Sequence, residues 1–128
     1  MNLRDYRRVY LIGNGGSYAN AIHIANDLLA CGVPAFTLDP ATLTACANDH
    51  GYENVFSGWL AVVAEPGDLV IALSGSGQSR NILKAIELAF IKGVEVFTLF
   101  GNERGQTMQQ AEEYQIFWGH EMMRSLKA

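Results

Sequence analysis

Hydrophobic positions along this chain switch repeatedly between two periods. Val9-Tyr10-Leu11-Ile12 is a short continuous apolar run that stops at Gly13, the pattern of a strand buried on both faces. From about Tyr18 to Ala30 the period lengthens, with Ile22, Ala25 and Leu29 on one helical stripe. Gly32 is placed to close that helix in the left-handed conformation. Ala35 to Leu38 reads as a second strand, and Asp39-Pro40 as a helix cap followed by a first helical residue. Two helical pieces follow, at about Ala41 to Asn48 and Tyr52 to Ala64. Pro66-Gly67-Asp68 is a turn, and Leu69 to Leu73 is the strongest strand pattern in the chain. Ser79 is placed to cap a helix reaching about Lys92, and Val94 to Phe100 forms a fourth strand. Gly101 to Gly105 leads into a last helix from about Thr107 to Leu126. Four strands separated by helices predict one α/β domain over residues 1–128, a doubly wound parallel sheet with helices on both faces.

Composition narrows the function classes. With 49% hydrophobic residues the chain has ample material for a core, which excludes disorder. Nine Lys and Arg against thirteen Asp and Glu argue against sequence-independent nucleic-acid binding, which needs a basic face. No apolar run reaches eighteen residues, so no membrane helix is expected, and Met1 to Arg8 lacks the apolar stretch of a signal peptide. Cys31 and Cys46 are too few for a disulfide scaffold and read as small packing residues. A soluble protein of a reducing cytoplasm is the expectation.

Ligands of open parallel sheets sit beyond the carboxyl ends of the strands, where the strand order reverses. A 2-1-3-4 order, as in flavodoxin-like sheets, puts that crevice between strands one and three. The loops that leave those strands are Gly13-Asn14-Gly15-Gly16-Ser17 and Ser74-Gly75-Ser76-Gly77-Gln78-Ser79. Both open a helix and consist of glycine and small polar residues, which suits a bound phosphate; tight turns needing only small residues are the plainer alternative. Tyr18 replaces the third glycine of a dinucleotide fingerprint, and neither loop has the Lys-Ser/Thr of a triphosphate loop. A small phosphate monoester fits these loops better. His23 and Asp27, four apart on the first helix, share a face, and His120 lies on the last helix downstream of Glu112 and Glu113. Imidazole with carboxylate suits acid–base chemistry or a zinc site. An ordinary surface pair for His23–Asp27, a buried structural role for His120 and simple turn chemistry for Asn48-Asp49-His50 are the alternatives.

These motifs together resemble the sugar isomerase (SIS) domain of phosphoheptose isomerases. The likeness rests on Gly13-Asn14-Gly15-Gly16-Ser17 with Ala21-x-His23-x-Ala25-x-Asp27-Leu28, and on Ala47-Asn48-Asp49-x-Gly51-Tyr52-x-x-Val55-Phe56. Pro66-Gly67-Asp68 and Ser74-x-Ser76-Gly77-x-Ser79-x-Asn81-x-x-Lys84-Ala85-Ile86 continue it in order. The resemblance implies conversion of sedoheptulose 7-phosphate to a glycero-manno-heptose 7-phosphate, feeding lipopolysaccharide or related glycans. It implies that Ser74, Gly75, Ser76 and Ser79 hold the phosphate with Asn14, Gly15 and Ser17 assisting, and that Asn48 and Asp49 contact the sugar. It further implies Asp27 as base and His120 as acid, and His23, Asp27, Glu112 and His120 as ligands where a zinc ion is used. A homo-oligomer, dimer or tetramer, with its site at the subunit interface is implied as well.

The chain departs from that pattern at Asp27, where the family has glutamate, and at Glu112, where glutamine is usual. Relative to it the chain is also short before the first strand and lacks a fifth strand. Glu112 and His120 are eight residues apart, about 12 Å on a straight helix, so one metal reaches both only through a bend or a second subunit. The alternative function is a non-catalytic SIS domain that binds a sugar phosphate or a protein partner.

Overall fold

The computed structural model describes residues 1–128. Four strands form one parallel sheet in the order β2-β1-β3-β4: β1 (Val9–Ile12), β2 (Ala35–Thr37), β3 (Leu69–Ser74) and β4 (Glu95–Phe100). Five helices connect and flank them: α1 (Gly16–Ala30), α2 (Pro40–His50), α3 (Val55–Val63), α4 (Arg80–Ile91) and α5 (Met108–Lys127). The predicted strand order and element sequence are therefore observed. β1 and β3 are central and buried throughout, whereas the edge strands β2 and β4 each expose residues.

Because side chains alternate across a strand, β1 and β3 feed two separate cores. Tyr10, Ile12, Val70 and Ala72 pack with Phe56, Leu60, Ile82 and Ala85 of α3 and α4 on one face. Val9, Leu11, Leu69, Ile71 and Leu73 pack with Ile24 and Leu28 of α1, with Trp118 and Met122 of α5 at the margin. No helix is long and apolar enough to cross a membrane. The two cysteines are free and half-buried.

Side-chain caps set the starts of two of the five helices, α2 and α5. The Asp39 carboxylate accepts bonds from the Thr42 N–H (2.9 Å) and hydroxyl (2.7 Å), with Pro40 in the first turn of α2. The Thr42 N–H first, then its hydroxyl, hold the Asp39 carboxyl below the ordinary range. A depressed folded value means that its stabilisation is complete above the unfolded value of about 3.9 and disappears as pH falls through the lower native midpoint. Carboxyl NMR titration should show that depressed midpoint, and Asp39→Asn should keep the cap while removing this part of the acid sensitivity. Thr107 and Gln110 form a reciprocal capping box at the start of α5. Asp68, buried behind the predicted turn, accepts two bonds from Arg7 (2.9 and 2.7 Å) and one from the Glu65 N–H (2.9 Å), tying the entries of β1 and β3 together. Nothing in the local pattern around Asp68 announces that role.

α1 and α5 lie unusually close. A Cβ on Gly119 would come within 2.7 Å of Ile24 Cγ1, and Ile24 is fully buried. Alanine normally gains about 1 kcal/mol over glycine in a helix, but overpacking a tight core costs about 1–3 kcal/mol. Since Ile24 has no free volume to retreat into, the clash should win. Gly119→Ala is expected to lower stability by up to about 2 kcal/mol in denaturant unfolding.

Candidate active site

The crevice forms where β1 and β3 hand over to helices on opposite faces. Gly13 is needed there because a Cβ would meet the Ser17 backbone at 2.8 Å, and Gly15 adopts φ +55° before α1. That turn lets α1 begin at Gly16, two residues earlier than the apolar stripe indicates, and brings Ser17 into its first turn. Asn14 bridges the crevice through a reciprocal amide pair with buried Asn81 on α4, 2.8 Å in each direction. The Tyr52 hydroxyl also donates to the Asn14 carbonyl, at 2.6 Å.

The serine loop is held by its own hydroxyls. Ser74 Oγ accepts the Gly77 N–H (2.9 Å), and Ser76 Oγ accepts the Gln78 N–H (3.1 Å). From outside, the Gly101 and Asn102 N–H groups donate to the Ser74 and Gly75 carbonyls. Ser79 stands at the N-cap of α4 as predicted, yet its side chain makes no capping bond. Ser17 Oγ accepts from Gln115 Nε2 at 3.1 Å. Each of these three bonded hydroxyls acts as an acceptor, so its proton is still available, and Ser79 is uncommitted altogether. All four serines, with Asn14, Leu73, Gly75 and Met108, line a cavity of ≈ 50 Å³ at the N-terminus of α4. Hydroxyl protons facing a helix N-terminus have the chemistry to receive an anion. Nothing in the local sequence points to Met108, whose thioether stands where a Gly75 Cβ would be.

A second hollow of ≈ 200 Å³ adjoins it across Asn14, lined by Gly13, Gly15, Tyr18, Pro40, Leu43, Thr44 and Tyr52. The Tyr18 hydroxyl donates to the Leu38 carbonyl, and burial pushes its pKa up, so this wall is an uncharged phenol. Asn48 and Asp49 line neither hollow. They sit exposed on the last turn of α2, where the Asn48 amide donates to Asp49 Oδ1 at 3.0 Å. The helix extends to His50 instead of ending at Asn48, so this segment is not a turn.

Farther along α1, His23 and Asp27 meet His120 of α5. His23 Nε2 lies 3.2 Å from Asp27 Oδ2, His120 Nε2 lies 3.7 Å from the same oxygen, and the two Nε2 atoms are 3.3 Å apart. His120 is therefore half-exposed beside a carboxylate rather than a core histidine. Asp27 Oδ2 is buried and has no hydrogen-bond partner. An orphaned carboxylate oxygen facing two imidazole nitrogens is a donor set for a cation. A tetrahedral site with metal–ligand lengths of about 2.0–2.1 Å separates its ligands by about 3.3 Å, close to the three distances here. These residues fit a metal ion, and the same three emerge as a potential metal-holding group.

Glu112 does not join them. α5 runs unbroken from Met108 to Lys127, so Glu112 is carried two turns away. Its carboxylate lies where a Gly16 Cβ would be, beside the positive end of α1. The four-ligand set thus reduces to three within this chain.

Fold and site together define a doubly wound α/β protein with an anion-type crevice at its switch point and an imidazole–carboxylate centre on one flanking helix pair. The profile of the SIS domain matches residues 1–101. The sequence is 42% identical over 118 residues to a phosphoheptose isomerase from Akkermansia muciniphila, covering 86% of this chain and 62% of that protein. The structure is similar to that of a phosphoheptose isomerase from Neisseria gonorrhoeae, with TM-score 0.87, 25% identity, and coverage of 98% of this chain and 80% of that one. A phosphoheptose isomerase from Francisella tularensis gives TM-score 0.84 at 26% identity, covering 94% of this chain and 75% of that one. The chain belongs to the SIS domain family. It spans less than two thirds of the length of the curated relatives it matches, 62% and 58% for two of them.

Proposed function

We propose that this chain carries the site of a phosphosugar isomerase that interconverts sedoheptulose 7-phosphate and a glycero-manno-heptose 7-phosphate. The observation that carries this reading is the convergence of Asp27, His23 and His120 on the helix whose first turn contributes Ser17 to the anion pocket. Ser17 and His23 are six residues apart, about 9 Å of helix rise, which suits an extended sugar better than a triose. The names of the relatives supply the heptose.

The chemistry follows from the residues. Ser17, Ser74, Ser76 and Ser79 donate to the phosphate oxygens, helped by the first N–H groups of α4. The Asp27 carboxylate removes a proton from C1 of the open-chain ketose while the His120 imidazole gives one to the C2 oxygen, yielding an enediol. Asp27 then returns a proton to C2 as His120 takes one from the C1 hydroxyl, leaving the aldose. His23, Asp27 and His120 would hold a zinc ion, which when bound polarises the carbonyl and stabilises the enediolate charge. Glu112, the Asn48–Asp49 end of α2 and further ligands would enter from a second copy in a homodimer or homotetramer. A cytoplasmic enzyme supplying heptose for lipopolysaccharide agrees with this substrate.

Proton NMR of sedoheptulose 7-phosphate with the protein in D₂O, with and without zinc, tests the proposal. Growth of an aldose anomeric signal with deuterium at C2 is the expected result. Line broadening without conversion would favour a sugar-phosphate sensor, and neither effect would refute the substrate assignment.

A further inference from the structure

Gln115 is a fully buried polar side chain on α5, and the reaction described above makes no use of it. Its hydrogen bonds nevertheless have only one consistent direction. The chain of bonds starts at the Glu112 backbone carbonyl, which can only accept, and which receives Asn20 Nδ2 at 3.0 Å. That fixes the Asn20 amide with its NH₂ toward α5, where the second N–H donates to Gln115 Oε1 at 2.8 Å. With its oxygen so engaged, Gln115 must turn Nε2 toward Ser17, and Ser17 Oγ accepts it at 3.1 Å. Ser17 is itself buried, so its hydroxyl proton has two places to go: back into this network, where only donors face it, or out into the serine-lined cavity.

We propose that Gln115 is a positioning residue that polarises Ser17, forcing its hydroxyl to act as a donor toward the anion in the crevice. The inference rests on the phosphosugar reading and adds to it a residue that touches no substrate. A carbonyl of α5 sets the sense of a one-way relay that ends at the phosphate. The same bonds fix the register of α5 on α1. Gln115 meets Ser17 five residues before His120 meets the His23–Asp27 pair six residues after Ser17, with Gly119 wedged against Ile24 between them.

Gln115→Glu gives the sharpest test, because it keeps size and shape but replaces the donor by an acceptor. The Ser17 proton is then drawn to the new carboxylate and away from the cavity. Gln115→Met removes the bonds without adding charge. Binding of inorganic phosphate by calorimetry and the kinetics with sedoheptulose 7-phosphate are measured for both. Gln115→Glu is expected to weaken phosphate binding and raise KM by about tenfold or more, the worth of one hydrogen bond to a charged group, with kcat changed far less. Gln115→Met should do so more mildly, and in a Ser17→Ala background neither should add much. Undiminished phosphate affinity in Gln115→Glu, or equal losses with and without Ser17, overturns the inference and leaves the phosphosugar reading standing. Wild-type protein that binds no phosphate overturns both.

Discussion

Replacing Asp27 by asparagine is expected to lower isomerase turnover by about a thousandfold or more, the range that a positioned general base supplies. The substitution preserves shape and removes only the charge and basicity of the carboxylate. It should leave the fold intact, because the half-exposed His23–Asp27 pair contributes little and relief of a buried charge offsets its loss. Unchanged or slightly raised thermal stability alongside lost turnover is therefore the signature, one that a structural residue would not give. His120→Ala should behave similarly in activity, since its Nε2 lies 3.7 Å from the same oxygen. Asp27→Glu restores the longer side chain of the family pattern and should retain measurable conversion, because about 1 Å of displacement costs on the order of a hundredfold, not the whole reaction. Full turnover in Asp27→Asn would remove Asp27 from the mechanism and direct attention to the imidazoles.

The second large effect is expected at the phosphate. Ser76→Ala combined with Ser79→Ala removes two hydroxyls that line the cavity at the α4 N-terminus. Each hydrogen bond to a doubly charged phosphate is worth roughly tenfold or more in affinity. The pair should raise KM for the phosphosugar by about a hundredfold if the two act independently. Ser79 makes no capping bond, so its loss carries no helix-cap cost. Ser76 gives up one bond, to the exposed Gln78 N–H, which water replaces. Ser74 would be a poorer choice, because its buried Oγ holds the Gly77 N–H and truncation would collapse the loop itself. Unaltered affinity in the double variant, measured calorimetrically, would place the phosphate elsewhere.

Much of this site is legible in the sequence because its parts are local. Gly13 to Ser17 and Ser74 to Ser79 stand out by composition, and their place after two apolar strands puts them at one crevice by topology alone. His23 and Asp27 are four apart on a helix, so their shared face needs no tertiary information. His120 is different. Its distance along the chain says nothing about α1, and its sequence neighbours suit a buried structural role equally; the packing of Gly119 on Ile24 is what brings it to Asp27. Glu112 shows the reverse, since the family resemblance places it among the ligands while the straight run of α5 carries it to Gly16.

The sequence by itself determined the succession of strands and helices, the two crevice loops and one half of the ionisable centre, because apolar runs, helical spacing and glycine-rich turns are short-range properties of the chain. Only the tertiary structure decided which groups face each other across the α1–α5 seam, His120 with Asp27 and Gln115 with Ser17, and that Met108 of α5 covers Gly75 in the serine loop. Those contacts depend on interhelical distance and rotational register, which are set by the summed packing of the core that both helices share on one face of the sheet. No local pattern of residues encodes that sum.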